Sequence, residues 1–327
     1  MKVLVTGADG LLGSNAVREL LKRGHEVNVF ILPNSNATSL NGLAIKKHFG
    51  NILKPADIAT AIEGCDAVIH IAANTSVWPR RSEIVRRVNI EGTQNIIDAA
   101  MKVGVKRFVH IGSASSFGMG TKESPGDENT PFAGGKYGLD YVDSKYEGQL
   151  LVLKYAKEYN FPALIVTPTF MFGPYDSKPG SGKIILAIKQ KKMPAFTGGG
   201  KNFVFSKDVA TAAVNALTMG RIGECYVAGG HNLSYKEMSH LVAEVLQVSP
   251  PRIKVPDIFI KTVGWLSTLA GRLFNIEPKV SYAMAKVACD GQYFTARKAI
   301  EELDMPQTDI RIAVKEAHDW FKESGYC

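Results

Sequence analysis

Residues 1–13 run Met1-Lys2-Val3-Leu4-Val5-Thr6-Gly7-Ala8-Asp9-Gly10-Leu11-Leu12-Gly13. Met1 to Thr6 is a short apolar run, β-branched at Val3, Val5 and Thr6, and predicts a strand. It stops at a glycine-rich turn. Beyond the turn Ala16, Val17, Leu20 and Leu21 share one face of a helical pattern that ends at Gly24. Strand, glycine turn and helix in that order are the context a dinucleotide-binding turn requires. Gly7 permits the tight turn, Gly10 lets the backbone approach a pyrophosphate, and Gly13 lets the helix pack closely on the strand. The helix opens at Leu11 and Leu12, with free N–H groups and a favourable dipole facing the phosphates.

Outward from this turn, strand and helix patterns alternate. Strands are expected at Glu26–Leu32, Leu43–Phe49, Ala67–Ile71, Arg107–Ile111 and Ala163–Thr167. Helices are expected at Pro55–Glu63, Ser82–Val103 and from Tyr141 to about Tyr159. Small residues, Ala72-Ala73-Asn74, end the fourth strand and leave room for a ligand over the sheet. Residues 119–136 are polar and rich in Gly and Pro, and read as an active-site flap. After Pro174 the alternation loosens. Helices are read at Lys183–Lys191 and Asp208–Met219, an extended run at Glu224–Ala228, and two closing helices at Phe294–Leu303 and Ile310–Ser324. Ser234-Tyr235-Lys236-Glu237 is a capping box. Ile258–Phe274, apolar but broken by Lys261 and Arg272, is too short to span a bilayer and reads as an amphipathic helix lining a pocket.

Composition narrows the function. The 327 residues are 45% hydrophobic and 21% charged, with a formal net charge of +8. That is ordinary globular composition. The basic residues form no stripe interleaved with aromatics, so no nucleic-acid partner is expected; the charge reads as solvated helix faces and loops, with a field drawing in an anionic cofactor or substrate as the alternative. Cys65, Cys225, Cys289 and Cys327 are scattered without a Cys-x-x-Cys, and the His residues are dispersed. No metal site and no disulfide framework is expected. This fits a reducing cytoplasm, and the first strand at Lys2 leaves no room for a signal peptide. His70 on the fourth strand reads as structural.

Tyr141 and Lys145 stand four apart within a helical pattern and so share one face. An ammonium beside a phenol favours the phenolate. A depression of roughly three units, about 4 kcal/mol, would bring a tyrosine from ~10 to neutrality and make it a usable acid or base.

Several stretches together resemble the extended short-chain dehydrogenase/reductase superfamily, also called the NAD-dependent epimerase/dehydratase family. They are Thr6-Gly7-x-x-Gly10-x-x-Gly13, Asn89-Ile90-Glu91-Gly92-Thr93-Gln94-Asn95, Ser113 five before Gly118, Tyr141-x-x-x-Lys145, and Pro168-Thr169-Phe170-Met171-Phe172-Gly173-Pro174. The resemblance implies an α/β doubly wound parallel sheet (Rossmann fold) with a smaller, mostly helical C-terminal substrate subdomain. Residues 1–173 would form the dinucleotide-binding domain, with 201–228 returning to it; 174–200 and 229–327 would bind substrate. Ser113, Tyr141 and Lys145 would be catalytic. Cofactor contacts would come from Gly7, Gly10, Leu11, Leu12, Gly13, Asn34, Asn51, Ile52, Ala72, Ala73, Asn89, Tyr141, Lys145, Pro168 and Phe170; for Asn89 a role fixing backbone is the equal alternative. Where members choosing NAD carry an acid at the end of the second strand, this chain has Ile31; where members choosing NADP carry a base, it has Leu32. NAD and NADP both stay open, with the missing carboxylate tilting the balance to NADP.

Within the superfamily, Thr167–Pro174 and Gly198–Ala210 look most like the branch of dihydroflavonol reductases and hydroxysteroid dehydrogenases. The first expectation is therefore an oxidoreductase reducing a ketone or aldehyde, or oxidising the alcohol. The second is a nucleotide-sugar epimerase or dehydratase with a tightly held NAD, gripping a diphosphate through bases such as Arg252 or Arg297. A catalytically silent dinucleotide sensor is the third. Thr75, Trp78, Ser115, Phe117 and Met171 are the expected substrate contacts, with the Ile258–Phe274 helix across from them. The resemblance implies a homodimer through Ser82–Val103 and Tyr141–Tyr159, with a monomer as the alternative.

Overall fold

The computed structural model describes residues 1–327. Its centre is a seven-stranded sheet, all of whose pairings are parallel. The chain lays down β1 (Lys2–Thr6), β2 (Glu26–Ile31), β3 (Lys46–Phe49), β4 (Ala67–His70), β5 (Arg107–Ile111) and β6 (Ala163–Pro168). It leaves the sheet for β7 (Phe170–Phe172), β8 (Ala195–Phe196) and β9 (Gly200–Phe205), and returns as β10 (Cys225–Ala228). The spatial order is β3-β2-β1-β4-β5-β6-β10. Strand order reverses beside β1, and there, over the carboxyl ends of the strands, such sheets bind ligands.

Alternation along the strands feeds two cores. Val3, Val5, Val27 and Val29 point to one face, against α1 (Leu11–Lys22). Leu4, Val68 and Phe108 point to the other, against α2 (Pro55–Ile62), α3 (Glu83–Val103) and α4 (Asp140–Glu158). After α5 (Lys183–Lys189), α6 (Ser206–Asn215) joins α1 on the first face. Both faces of the sheet are thus covered, as parallel strands require.

The second region is built on β9. It pairs antiparallel with β11 (His231–Ser234) and parallel with β7 and β13 (Gly291–Gln292). β8 pairs with β12 (Ile253–Lys254). Phe172, Phe203 and Phe205 pack beneath α5, α7 (Tyr235–Val245) and α11 (Ile310–Glu323). The capping box opens α7 as expected, with Ser234 and Glu237 satisfying each other's backbone N–H groups. Within 201–228, β9 belongs to this second sheet, while α6 and β10 pack with the first.

One expectation needs correction. The amphipathic helix forms, as α8 (Asp257–Phe274), but it does not line the cavity. Its buried residues are Gly264 and Gly271, and Ile258 (75% exposed) and Phe259 (61%) face away from the protein. At Gly264 a Cβ would stand 2.8 Å from Ala285 Cβ of α9 (Tyr282–Cys289), so glycine permits the close approach of the two helices. α9, not α8, reaches the cavity, through Met284 and Val287. The last two helices are α10 (Arg297–Leu303), packed on the first core, and α11.

Candidate active site

The glycine turn takes its shape from close contacts. Gly7 has φ of +67°, and a Cβ there would stand 2.8 Å from the Ala72 backbone. Thr6 Oγ1 accepts from the Ile71 and Ala72 N–H groups, both at 3.1 Å. The small residues after β4 are thereby held against the turn. At Gly13 a Cβ would stand 2.2 Å from the Gly7 carbonyl oxygen; at Gly10 it would meet only that oxygen, at 3.6 Å. Gly10 is N-cap of α1, no side chain caps this end, and its first turn holds no acid. The N–H groups of Leu11 and Leu12 belong to that first turn and have no partner within the helix. A strand end, a glycine turn and an uncapped helix N-terminus suit a pyrophosphate.

The rest of the expected cofactor set is divided. Pro168 and Phe170 stand on the wall of a cavity beside the sheet. Ile31 is buried and Leu32 is 56% exposed, so no carboxylate stands at the end of β2. Asn34 is exposed, in the left-handed region at φ of 65°. The Asn51 carboxamide oxygen accepts from Leu53 N at 2.9 Å, and Ile52 is buried against Gly92. Asn89 is spent on the protein. It accepts from Asn74 N at 2.8 Å and donates to Asn74 O at 3.0 Å and Ser144 Oγ at 2.9 Å. It fixes the loop after β4 to α4, the backbone role held as its alternative.

Ser113 and Tyr141 line the same cavity. Ser113 follows the end of β5 and caps a short helical turn, its Oγ accepting from Ser115 N at 3.3 Å and bonded to Ser115 Oγ at 2.8 Å. One turn along α4 from Tyr141, Lys145 is buried and donates to the Ile111 carbonyl oxygen at 2.7 Å. Burial lowers the pKa of this lysine to about 8. The expected depression of the phenol is not met. Burial raises the Tyr141 pKa, and the opposing influence comes from Ser113, not Lys145. His70 is structural: its ring bonds Thr6 at 2.7 Å and Thr93 at 3.1 Å, and burial drops its pKa to about 3.

Of the expected substrate contacts, Ser115 lines the cavity. Phe117 is buried in the core against α4, Met171 packs against the core of the first face, and Thr75 is exposed in the loop after β4. Trp78 lies toward α8, its ring 3.3 Å from where a Gly271 Cβ would stand, and its neighbour Val77 takes the place on the wall. Arg252 and Arg297 are exposed and line no part of the cavity. The 119–136 loop is pinned: Gly120 and Gly126 N–H both donate to the Tyr293 carbonyl oxygen, at 3.2 and 3.0 Å. Sequence reasoning passed over Lys201 and Gln292, which line the wall from β9 and β13. Lys201 falls within the Gly198–Ala210 stretch that carries the resemblance; nothing local marks Gln292.

A doubly wound sheet with a glycine turn at its switch point, a serine and a tyrosine on the wall of one cavity and a buried lysine one turn along the tyrosine's helix define a dinucleotide-dependent oxidoreductase class. Residues 3–229 match the NAD dependent epimerase/dehydratase family, and the chain belongs to it. It is an NAD(P)-dependent enzyme of the extended short-chain dehydrogenase/reductase type. It is 30% identical to a putative dihydroflavonol 4-reductase of Synechocystis, over 98% of this chain and 95% of that protein. It is also 30% identical to sterol demethylase protein B of Methylococcus capsulatus, over 99% of each. Among solved structures, a nucleoside-diphosphate-sugar epimerase from Pseudomonas aeruginosa superposes with a TM-score of 0.82 at 28% identity, over 100% of this chain and 99% of that one. No helix is long and apolar enough to cross a membrane.

Proposed function

We propose that the protein reduces the carbonyl of a ketone or aldehyde with NADPH, or oxidises the alcohol, with Tyr141 as general acid/base. Ser113 and Tyr141 converge on one largely apolar cavity that no arginine lines, and the reading rests on that convergence. When bound, the dinucleotide supplies or accepts the hydride. Burial keeps the Tyr141 phenol protonated at neutral pH, the form that donates to a carbonyl oxygen in the reductive direction. The Ser113 hydroxyl donates to the same oxygen and stabilises the charge developing on it. Lys145, one turn along α4 from Tyr141, would bind the ribose of the nicotinamide. Leu11 and Leu12 N–H groups receive the pyrophosphate. The absence of a carboxylate at Ile31 and Leu32 removes a charge that would repel a 2′-phosphate, and supports NADP. The name of the Synechocystis relative, a reductase, agrees.

The Pseudomonas neighbour keeps a second reading in view, a sugar-nucleotide epimerase that returns its hydride within one turnover. That substrate needs a grip on a diphosphate, and the cavity wall has no arginine to provide it. Denaturing the purified protein and identifying the released nucleotide by mass spectrometry separates the two. Little retained nucleotide, with NADPH consumed on a panel of ketones and aldehydes, is the expected result. Stoichiometric NAD with no net consumption of NADPH overturns it.

A further inference from the structure

Lys201 is the only cationic side chain on the wall of the cavity that Ser113 and Tyr141 line. It projects from β9, where Gln292 of β13 is its partner in register. Its ammonium donates to the Gln292 side-chain oxygen and lies 5.3 Å from the centre of the Phe170 ring. No acidic group acts on it: burial alone shifts its pKa, down to about 8. Asp290, two residues before Gln292, is already paired with Lys136 at 2.7 Å and accepts from the Tyr137 hydroxyl at 2.6 Å. The neighbouring Asn202 is spent as well. Its amide nitrogen donates to Gly230 O, Asn232 Oδ1 and Phe294 O, and its oxygen accepts from Gly230 N and Thr169 Oγ1.

An ammonium has three donors. One amide oxygen and an aromatic ring do not compensate its burial, which costs free energy until an anion or further acceptors complete it. Here the ammonium lines the cavity, so the completing group is a ligand. One lysine matches one negative charge. A sugar diphosphate carries more, spread over oxygens that arginine forks match best, and the wall holds no arginine. Val77, Met119, Leu139, Val142, Met284 and Val287 give the wall an apolar stretch.

We propose that Lys201 binds a carboxylate of the substrate, so that the carbonyl compound taken by this cavity is an oxo acid with an apolar tail. The proposal rests on the carbonyl-reduction reading above and names the substrate class of that site. Gln292 is a positioning residue, holding the ammonium toward the ligand.

The test measures binding of 3-oxooctanoate and 4-oxooctanoate, each beside its methyl ester, to the full-length protein loaded with NADP+. With oxidised cofactor no turnover is needed. At least one acid is expected to bind tenfold or more tighter than its ester. Lys201→Met should bring that ratio near one without changing NADP+ affinity, and Lys201→Arg should keep it. Equal binding of acids and esters by the wild type, or a ratio that survives Lys201→Met, overturns the proposal. Should Lys201→Met fail to fold, the wild-type ratio alone decides. The carbonyl-reduction reading fails separately, if acids are preferred in binding but NADPH is consumed with neither acids nor esters.

Discussion

The Lys145 ammonium donates to the carbonyl oxygen of Ile111, at 2.7 Å, and so ties α4 to the last residue of β5. Two residues beyond Ile111 stands Ser113, and one helical turn before Lys145 stands Tyr141. The bond joins the two elements that bring the serine and the tyrosine to one wall, beside the apolar packing of Phe108 with Val152 and Ala156. It does so at a cost. The lysine pKa falls from 10.5 to about 8 by burial, which corresponds to about 3 kcal/mol. That penalty is fully present below pH 8, where folded and unfolded chains both carry the proton. It is relieved as pH rises toward 10.5, because the folded state releases the proton first. The bond to Ile111 returns ~1 kcal/mol. Lys145→Met should therefore raise the Tm by a few degrees at pH 7, with the gain shrinking toward pH 10. The same variant should lose cofactor affinity and turnover by tenfold or more. Thermal melts across pH, with cofactor titrations, check both halves.

Tyr141→Phe removes the proposed proton donor and little else, since the phenol makes no bond that holds the fold together. Turnover should fall by roughly 100- to 10,000-fold, the range for loss of a general acid, with the NADPH dissociation constant changed less than about twofold. Unchanged turnover would sink the assignment. In the wild type, kcat/KM for reduction should decline as pH rises through about 8, where Lys145 loses its charge. Lys145→Arg, should it retain activity, should move that decline to higher pH, because arginine keeps its proton there.

Asn89 makes three bonds, and two of its partners, the Asn74 backbone and the Ser144 hydroxyl, belong to segments far from it in sequence. Asn89→Ala should destabilise by about 2–3 kcal/mol, because partly buried polar groups are left without partners. A lower urea midpoint at unchanged slope would report it. Ser144 lies within the Tyr141–Lys145 turn, so turnover should drop as well. A variant of wild-type stability with weakened cofactor binding would instead make Asn89 a direct cofactor contact.

What could be read from the sequence was local. Gly7, Gly10 and Gly13 lie within seven consecutive residues, and Tyr141 and Lys145 within one helical turn, so spacing alone carries their geometry. Lys201 and Gln292 become neighbours only because β13 pairs with β9 across some ninety residues, and no short pattern announces that register. The α8 helix was misjudged for a different reason. Its pattern marks an apolar face, but its buried residues are two glycines: Gly264 lets α9 approach, and Gly271 packs against Ile276 and Pro278. Periodicity shows that a helix has two faces, not which one meets the protein.

Gly10 and Gly13 sit three residues apart in the same turn and should answer differently to one added methyl. At Gly13 a Cβ would stand 2.2 Å from the Gly7 carbonyl oxygen and 2.6 Å from Ala8 Cα, both rigid backbone. Gly13→Ala must shift α1 off β1, and should lower the Tm along with cofactor affinity. At Gly10 the only neighbour is the Gly7 oxygen, at 3.6 Å, an ordinary contact, and the backbone there is extended. Gly10→Ala should leave the Tm within about 2 °C, or less than roughly 1 kcal/mol. Its methyl would stand where the pyrophosphate approaches the turn. The dissociation constant for NADPH should therefore rise tenfold or more in a protein that is otherwise intact. Calorimetry of the two variants, with and without cofactor, separates these effects. An unchanged affinity in Gly10→Ala would mean that the phosphates do not approach this turn.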